Sequence, residues 1–285
     1  MEAKFWITGA AVAAVIFFAN QNTDLLQPAP DQDLPAVYAD PKSEKLRQWE
    51  LPGELNEVSG IAWISKDLFA CVQDEDGTIF IFDTKDQEVK KRITFAGPGD
   101  YEGIALNGST VYIVRSDGMI YEVRDYNTKP SVKQFSTPFT IENNIEGLTY
   151  DPKQDMLLLA VKDKDLARPG SKGVYAFALK DMKLNTTPLF SIDVSDPLLR
   201  AGKKKKEVRP SAIAIHPESH HYYVVDGPSS RLLQLDPEGK LVEVKDLGND
   251  FAKPEGITFD PGGRMFISNE RGKKSTANII EMASE

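Results

Sequence analysis

The chain has 285 residues, of which 41% are hydrophobic and 27% charged, so a sizeable core is available and disorder throughout is excluded. Lys plus Arg number 34 against 43 Asp plus Glu, a net charge of −9, which argues against a nucleic-acid binder because phosphate contacts need clustered cations. The single cysteine, Cys71, excludes an intramolecular disulfide and a cysteine-based zinc site, and the three histidines, His216, His220 and His221, leave few candidates for a catalytic base.

From the N-terminus, Phe5 to Ala19 is an uncharged apolar run, FWITGAAVAAVIFFA, preceded by Lys4. Its 15 residues suit a signal h-region and are short for a membrane span. No A-x-A site follows, so an uncleaved anchor in residues 1–20 is favoured over a cleaved leader. Either way the remainder is expected on the extracytoplasmic side, and the favoured anchor holds it at the inner membrane. Residues 21–43 carry four prolines among polar residues and read as an extended linker.

Residues 44–285 show a phased repeat. SGIAW (59–63), EGIAL (102–106), EGLTY (146–150), SAIAI (211–215) and EGITF (255–259) align, with spacings of 43, 44, 65 and 44. In the first copy GIAWI and LFACVQD are strands, Glu75-Asp76-Gly77 is a turn, and TIFIFD and EVKKRITF follow as two more. The second copy repeats the order through TVYIVRS, Asp117-Gly118, MIYEVRDY and VKQFSTPF. Asp-Gly between β-rich runs is a strong hairpin signal, and Asp236-Pro237-Glu238-Gly239 is a third turn. Four short strands per repeat without helical periodicity predict an all-β, five-bladed β-propeller, rather than a sandwich, which would not keep the phase. The last copy lacks a fourth strand, and EKLRQWEL (44–51) is expected to supply it and close the ring.

About 21 extra residues in the 65-residue spacing fall in 164–172 and 195–210. Lys164–Arg209 holds eleven Lys or Arg and five Asp or Glu, so a sector of +6 sits on a body of −15. Lys203–Lys206 reads as a solvated loop or as a contact for anionic lipid or an acidic partner.

In a propeller, in-phase residues at the inner-strand starts converge on the axis. Here they are Ser59, Glu102, Glu146, Ser211 and Glu255. Two positions earlier come Glu57, Asp100, Asn144, Arg209 and Lys253. Facing carboxylates repel unless a cation intervenes, and a ring of hard oxygens suits calcium. Candidate ligands are Glu102, Glu146, Glu255, Ser59, Ser211 and Glu57. The alternative is an ion-pair network, in which Arg115 and Lys162 neutralise Glu102 and Glu146. Glycine after each glutamate also has a packing explanation, since strands crowd at the axis. HPESHH (216–221) reads as a polar turn rather than a transition-metal site, and Cys71 as a packed small hydrophobe.

The strings LNEVSGIAW, VQDEDGTIFIFD, GDYEGIAL, DGMIYEV, IEGLTYDP and PEGITFDP resemble the SdiA-regulated, YjiK-like family of bacterial envelope proteins across most of 44–282. The resemblance implies a five-bladed propeller distantly related to NHL repeats, an N-terminal membrane anchor and a bound calcium ion, and no known reaction. Two functions are in view. One is a calcium-stabilised, monomeric envelope module that binds a protein or small-molecule partner. The other is a calcium-dependent hydrolase of a lactone, ester or phosphate.

Overall fold

Short β-rich runs cut by turn residues are realised as strands. The computed structural model describes residues 45–200 and 207–283, all within the unit Pro41–Glu285. The expected anchor, the linker and Lys203–Lys206 lie outside the described residues. Among those described, no helix is long and apolar enough to cross a membrane.

Strand β1 (Lys45–Glu50) comes first. Blade one follows as β2 (Val58–Ser65), β3 (Leu68–Gln73), β4 (Thr78–Asp83) and β5 (Glu88–Thr94). Blade two is β6 (Tyr101–Asn107), β7 (Thr110–Arg115), β8 (Ile120–Arg124) and β9 (Ser131–Phe135). Blade three is β10 (Ile145–Asp151), β11 (Met156–Val161), β12 (Lys172–Ala178), β13 (Lys183–Leu184) and β14 (Phe190–Ile192). Blade four is β15 (Pro210–Ile215), β16 (Tyr222–Asp226), β17 (Arg231–Leu235) and β18 (Leu241–Asp246). Blade five is β19 (Pro254–Phe259), β20 (Met265–Asn269) and β21 (Asn278–Met282). The fourth strand of blade five is β1, antiparallel to β21 from Lys45 opposite Met282 to Glu50 opposite Asn278. The expected closure is therefore present, and it covers an edge that would otherwise offer unpaired backbone.

Asp117-Gly118 and Asp236–Gly239 turn the chain as expected, and each glycine takes φ +82°, a conformation costly for a side chain. In blade three the outer strand is split in two, between the extra segments: β13 pairs with the end of β12 and β14 with its start.

Inner strands touch in the cyclic order β2, β6, β10, β15, β19 and back to β2. One apolar cluster fills each interface between neighbouring blades. Val72, Ile79 and Ile113 fill the first, and Val114, Leu157 and Tyr175 the second. Leu158, Val174 and Val224 fill the third, Val225, Ile267 and Ile280 the fourth, and Cys71, Phe82 and Ile279 the fifth. Strands such as β11, MLLLAV, are buried on both faces and so lack the alternation of an exposed sheet. Outer β5 alternates exposed and covered positions. Cys71 is fully buried with its thiol pushed up by desolvation, in keeping with its reading as a small hydrophobe.

Candidate functional site at the channel axis

Each inner strand begins with an irregularity of the same kind. Pairing slips between Val58 and Gly60, Tyr101 and Gly103, Ile145 and Gly147, Pro210 and Ala212, and Pro254 and Gly256. The residues left over are Ser59, Glu102, Glu146, Ser211 and Glu255. A β-bulge frees one residue from the ladder and re-aims its side chain. The small residue after it lets the next blade approach: a Cβ on Gly103 would lie 2.6 Å from Leu148 Cβ and 2.9 Å from the Glu146 carbonyl. Glycine here is required by packing, as the sequence suggested.

Between the blades lies a cavity of about 10 Å³ lined by Ser59, Glu102 and Glu146, room for roughly one water. Burial, then the charges of Glu146 and Asp100, push the Glu102 carboxyl up to about 10, so at neutral pH it is protonated beside Asp100. Burial also pushes Glu146 up to about 7, against the pull of Lys162. Glu255 is raised by burial, opposed by Lys162 and the Ser211 hydroxyl. Burial disfavours the Lys162 ammonium, but Glu146, Glu255 and Glu102 together outweigh this and keep it charged. Its Nζ lies 2.5 Å from the Glu146 carboxylate. The three glutamates of three blades thus share one electrostatic neighbourhood, with an ammonium as their counter-ion.

Local structure fixes that ammonium. The Lys162 amide donates to the Asn144 carbonyl at 3.0 Å, and Asn144 takes φ +51°, which asparagine tolerates. The Asn144 side-chain amide donates to Glu146 at 2.9 Å and to Asp163 at 3.1 Å. Arg209 holds the other oxygen of Asp163 at 2.6 Å. Buried Lys172 donates to the carbonyls of Lys162 and Asp163 at 2.5 and 3.0 Å. Sequence reasoning passed over Lys172, whose only signal was a cation inside an apolar strand.

The other candidates divide. Ser59 donates its hydroxyl to the Tyr101 carbonyl at 2.5 Å, a tie to blade two. Ser211 is buried beside Glu255. Glu57 is exposed and lines a separate cavity of about 290 Å³ with Gln73 and Arg271. It contributes to raising Asp74, which burial first and then Glu57, Glu270 and other acids push up to about 6. Arg115 does not neutralise Glu102: it pairs with Asp117 at 2.6 Å, because the hairpin carboxylate two residues on is within easier reach. His216 accepts the amides of Glu218 and Ser219 on Nδ1 and packs edge-on to Phe259, a turn residue as expected.

Calcium does not fit these residues as arranged. Among the described residues no group of three or more His, Cys, Asp or Glu is placed to hold a metal ion, and the Lys162 ammonium stands against Glu146. The pair Glu102 and Glu146, one carboxyl protonated and one near neutrality, has the electrostatics of an acid–base couple. A space the size of one water leaves no position for a substrate between them.

Glu102 and Glu146 have folded values above their ordinary 4.5. The stability they contribute is complete below about pH 4.5 and is lost as pH rises through 7 and towards 10. Glu102→Gln removes most of that loss. We expect the thermal midpoint of the variant to exceed that of the wild type at pH 9 and to vary less between pH 6 and 9. Parallel midpoint curves for the two proteins would show that Glu102 is not held protonated.

Solved structures share the architecture. A glutaminyl cyclase from Myxococcus xanthus aligns with TM-score 0.58 at 15% identity, covering 84% of this chain and 95% of its own. A luciferin-regenerating enzyme aligns with TM-score 0.52 at 12% identity, covering 82% and 94%, and a streptogramin B lyase with 0.51 at 10%, covering 83% and 97%. Likeness at such identities shows the fold alone. No curated protein matches the sequence. Five phased blades with a glutamate or serine bulge at each inner-strand start accompany a match of residues 36–271 to the SdiA-regulated family model, and the chain belongs to that family.

Proposed function

We propose that the protein is a non-catalytic binding propeller, exported and held at the cell envelope by its N-terminal apolar run. The observation that carries this reading is the closed axis. Its acids are neutralised from within by Lys162 and leave about 10 Å³, so the polar mouth acts as a clasp joining blades two, three and five. The apolar run Phe5–Ala19 supports anchoring. A screen of the chelated and the calcium-loaded protein against lactones, aryl esters and phosphate esters is expected to be silent. Turnover that disappears in Glu146→Gln would replace this reading with the hydrolase.

Calcium at the axis is the second reading, and the acid excess favours it: Glu146, Glu255 and Glu102 act on Lys162, and Asp100 on Glu102. It requires Lys162 to leave Glu146 and further oxygens to assemble, since calcium takes roughly six to eight. The two readings separate in a calcium titration followed by thermal unfolding. An ammonium-filled axis leaves the midpoint in place. A calcium-filled one adds about 2.7 kcal/mol at 100 times the dissociation constant, and the gain vanishes when Glu102 and Glu146 are both changed to Gln.

A further inference from the structure

The inner strands also end together, at the opposite mouth. Three residues after the crowded small position of each copy stand Trp63, Leu106, Tyr150, Ile215 and Phe259. All five are half-buried, and all five line one cavity of about 440 Å³. Each of the five packs against one of the interblade clusters, yet each stays half-buried because part of its surface faces the cavity. They leave an apolar funnel on the axis, with every blade contributing one wall.

The rim is built of short turns. Gly108 at φ +58° reverses β6 into β7, and the Asp260–Arg264 turn, with Gly263 at φ +82°, does so for β19 and β20. The Trp63 amide donates to Thr258 Oγ1 at 3.2 Å across the seam of blades one and five. The walls are therefore preformed. Among the described residues no Lys or Arg lines the cavity, and the base that does is His220. Its acid, Asp260, is spent on the amides of Gly262 and Arg264 and on the Arg264 guanidinium at 2.7 Å. In a chain of net charge −9, a described lining whose one base is an imidazole gives an anion no permanent cation to pair with, whereas its volume falls within the ~300–1,000 Å³ usual for small-molecule sites.

We propose that this funnel binds a neutral, largely apolar small molecule, inserted along the axis from the mouth opposite the glutamates. The proposal names the ligand class of the binding propeller and rests on that reading. Its failure is distinct, because loss of binding here leaves the substrate screen silent.

The test uses prodan, a neutral fluorescent naphthyl ketone, titrated into the full chain. Saturable binding with blue-shifted emission is expected. Leu106→Glu weakens it about ten-fold or more, because the ligand would then bury a carboxylate, while Ile141→Ser, at an exposed isoleucine away from the cavity, leaves it unchanged. Should Leu106→Glu fail to fold, Trp63→Phe keeps binding but loses most of the tryptophan-sensitised prodan emission. Absent saturable binding, equal affinity in folded Leu106→Glu, or sensitised emission undiminished in Trp63→Phe would each overturn the proposal. Binding of prodan displaced by a second copy of the chain, seen as concentration-dependent loss of the signal, would also overturn it in favour of a dimer surface.

Discussion

Replacing Lys162 with Met is expected to destabilise the protein by about 3–5 kcal/mol at pH 7, the usual cost of stripping one partner from a buried ion pair. With about 2–4 °C lost per kcal/mol in a domain of this size, the midpoint falls by roughly 6–20 °C. The reason is the company Lys162 keeps. Its side chain is 15% exposed and that of Glu146 5%, so water screens neither, and Glu255 leans on the same ammonium. Methionine preserves the stem and removes the charge. The loss shrinks as pH falls below about 7, because Glu146 then takes up a proton and needs no counter-ion. Differential scanning calorimetry at pH 5 and pH 8 reads both effects. A loss under about 1 kcal/mol at pH 8, or one independent of pH, would show that the ammonium is not the counter-ion.

The second large effect concerns ring closure. A chain beginning at residue 44 is expected to unfold cooperatively, and one beginning at residue 51 to lose cooperativity and associate. The six residues of β1 separate the two. They pair with β21 over its full length, place Trp49 against Phe266 at 6.3 Å and bring Arg47 to Glu281 at 3.4 Å. Each ladder bond is worth only about 0.5–1.5 kcal/mol net, but without them the buried strand β21 becomes a free apolar edge, the kind that recruits other chains. A peptide of residues 44–51 supplied in trans should restore a monomer in sedimentation velocity. A monomeric, cooperatively folding chain from residue 51 would mean that closure lies elsewhere.

What could be read from the sequence was whatever the repeat imposes on every copy. The glycine or alanine at 60, 103, 147, 212 and 256 marks the inner strands because blades crowd there. Gly118 and Gly239 mark their hairpins because φ is positive there, and the missing fourth strand of the last copy points to EKLRQWEL. Breaks in the phase were harder. The outer strand of blade three is split into β13 and β14, a break that no other blade carries. That Lys162 rather than Arg115 serves the glutamates depends on Asp117, which captures Arg115 within its own hairpin, and on Lys172, which pins the Lys162 carbonyl from the next strand. The bulges that aim Glu102, Glu146 and Glu255 are matters of register, which composition does not encode. The apolar phase three positions on was in plain view. Its five residues differ in identity, and only their shared cavity gives them meaning.

The convergence of distant repeats is tested most directly by a double-mutant cycle between Lys162 in blade three and Glu255 in blade five, with Lys162→Met and Glu255→Gln measured singly and together by urea denaturation at pH 8. Groups sharing one neighbourhood couple, and an interaction energy of about 0.5–3 kcal/mol is predicted. Effects that add to within about 0.3–0.5 kcal/mol would contradict a common axial site.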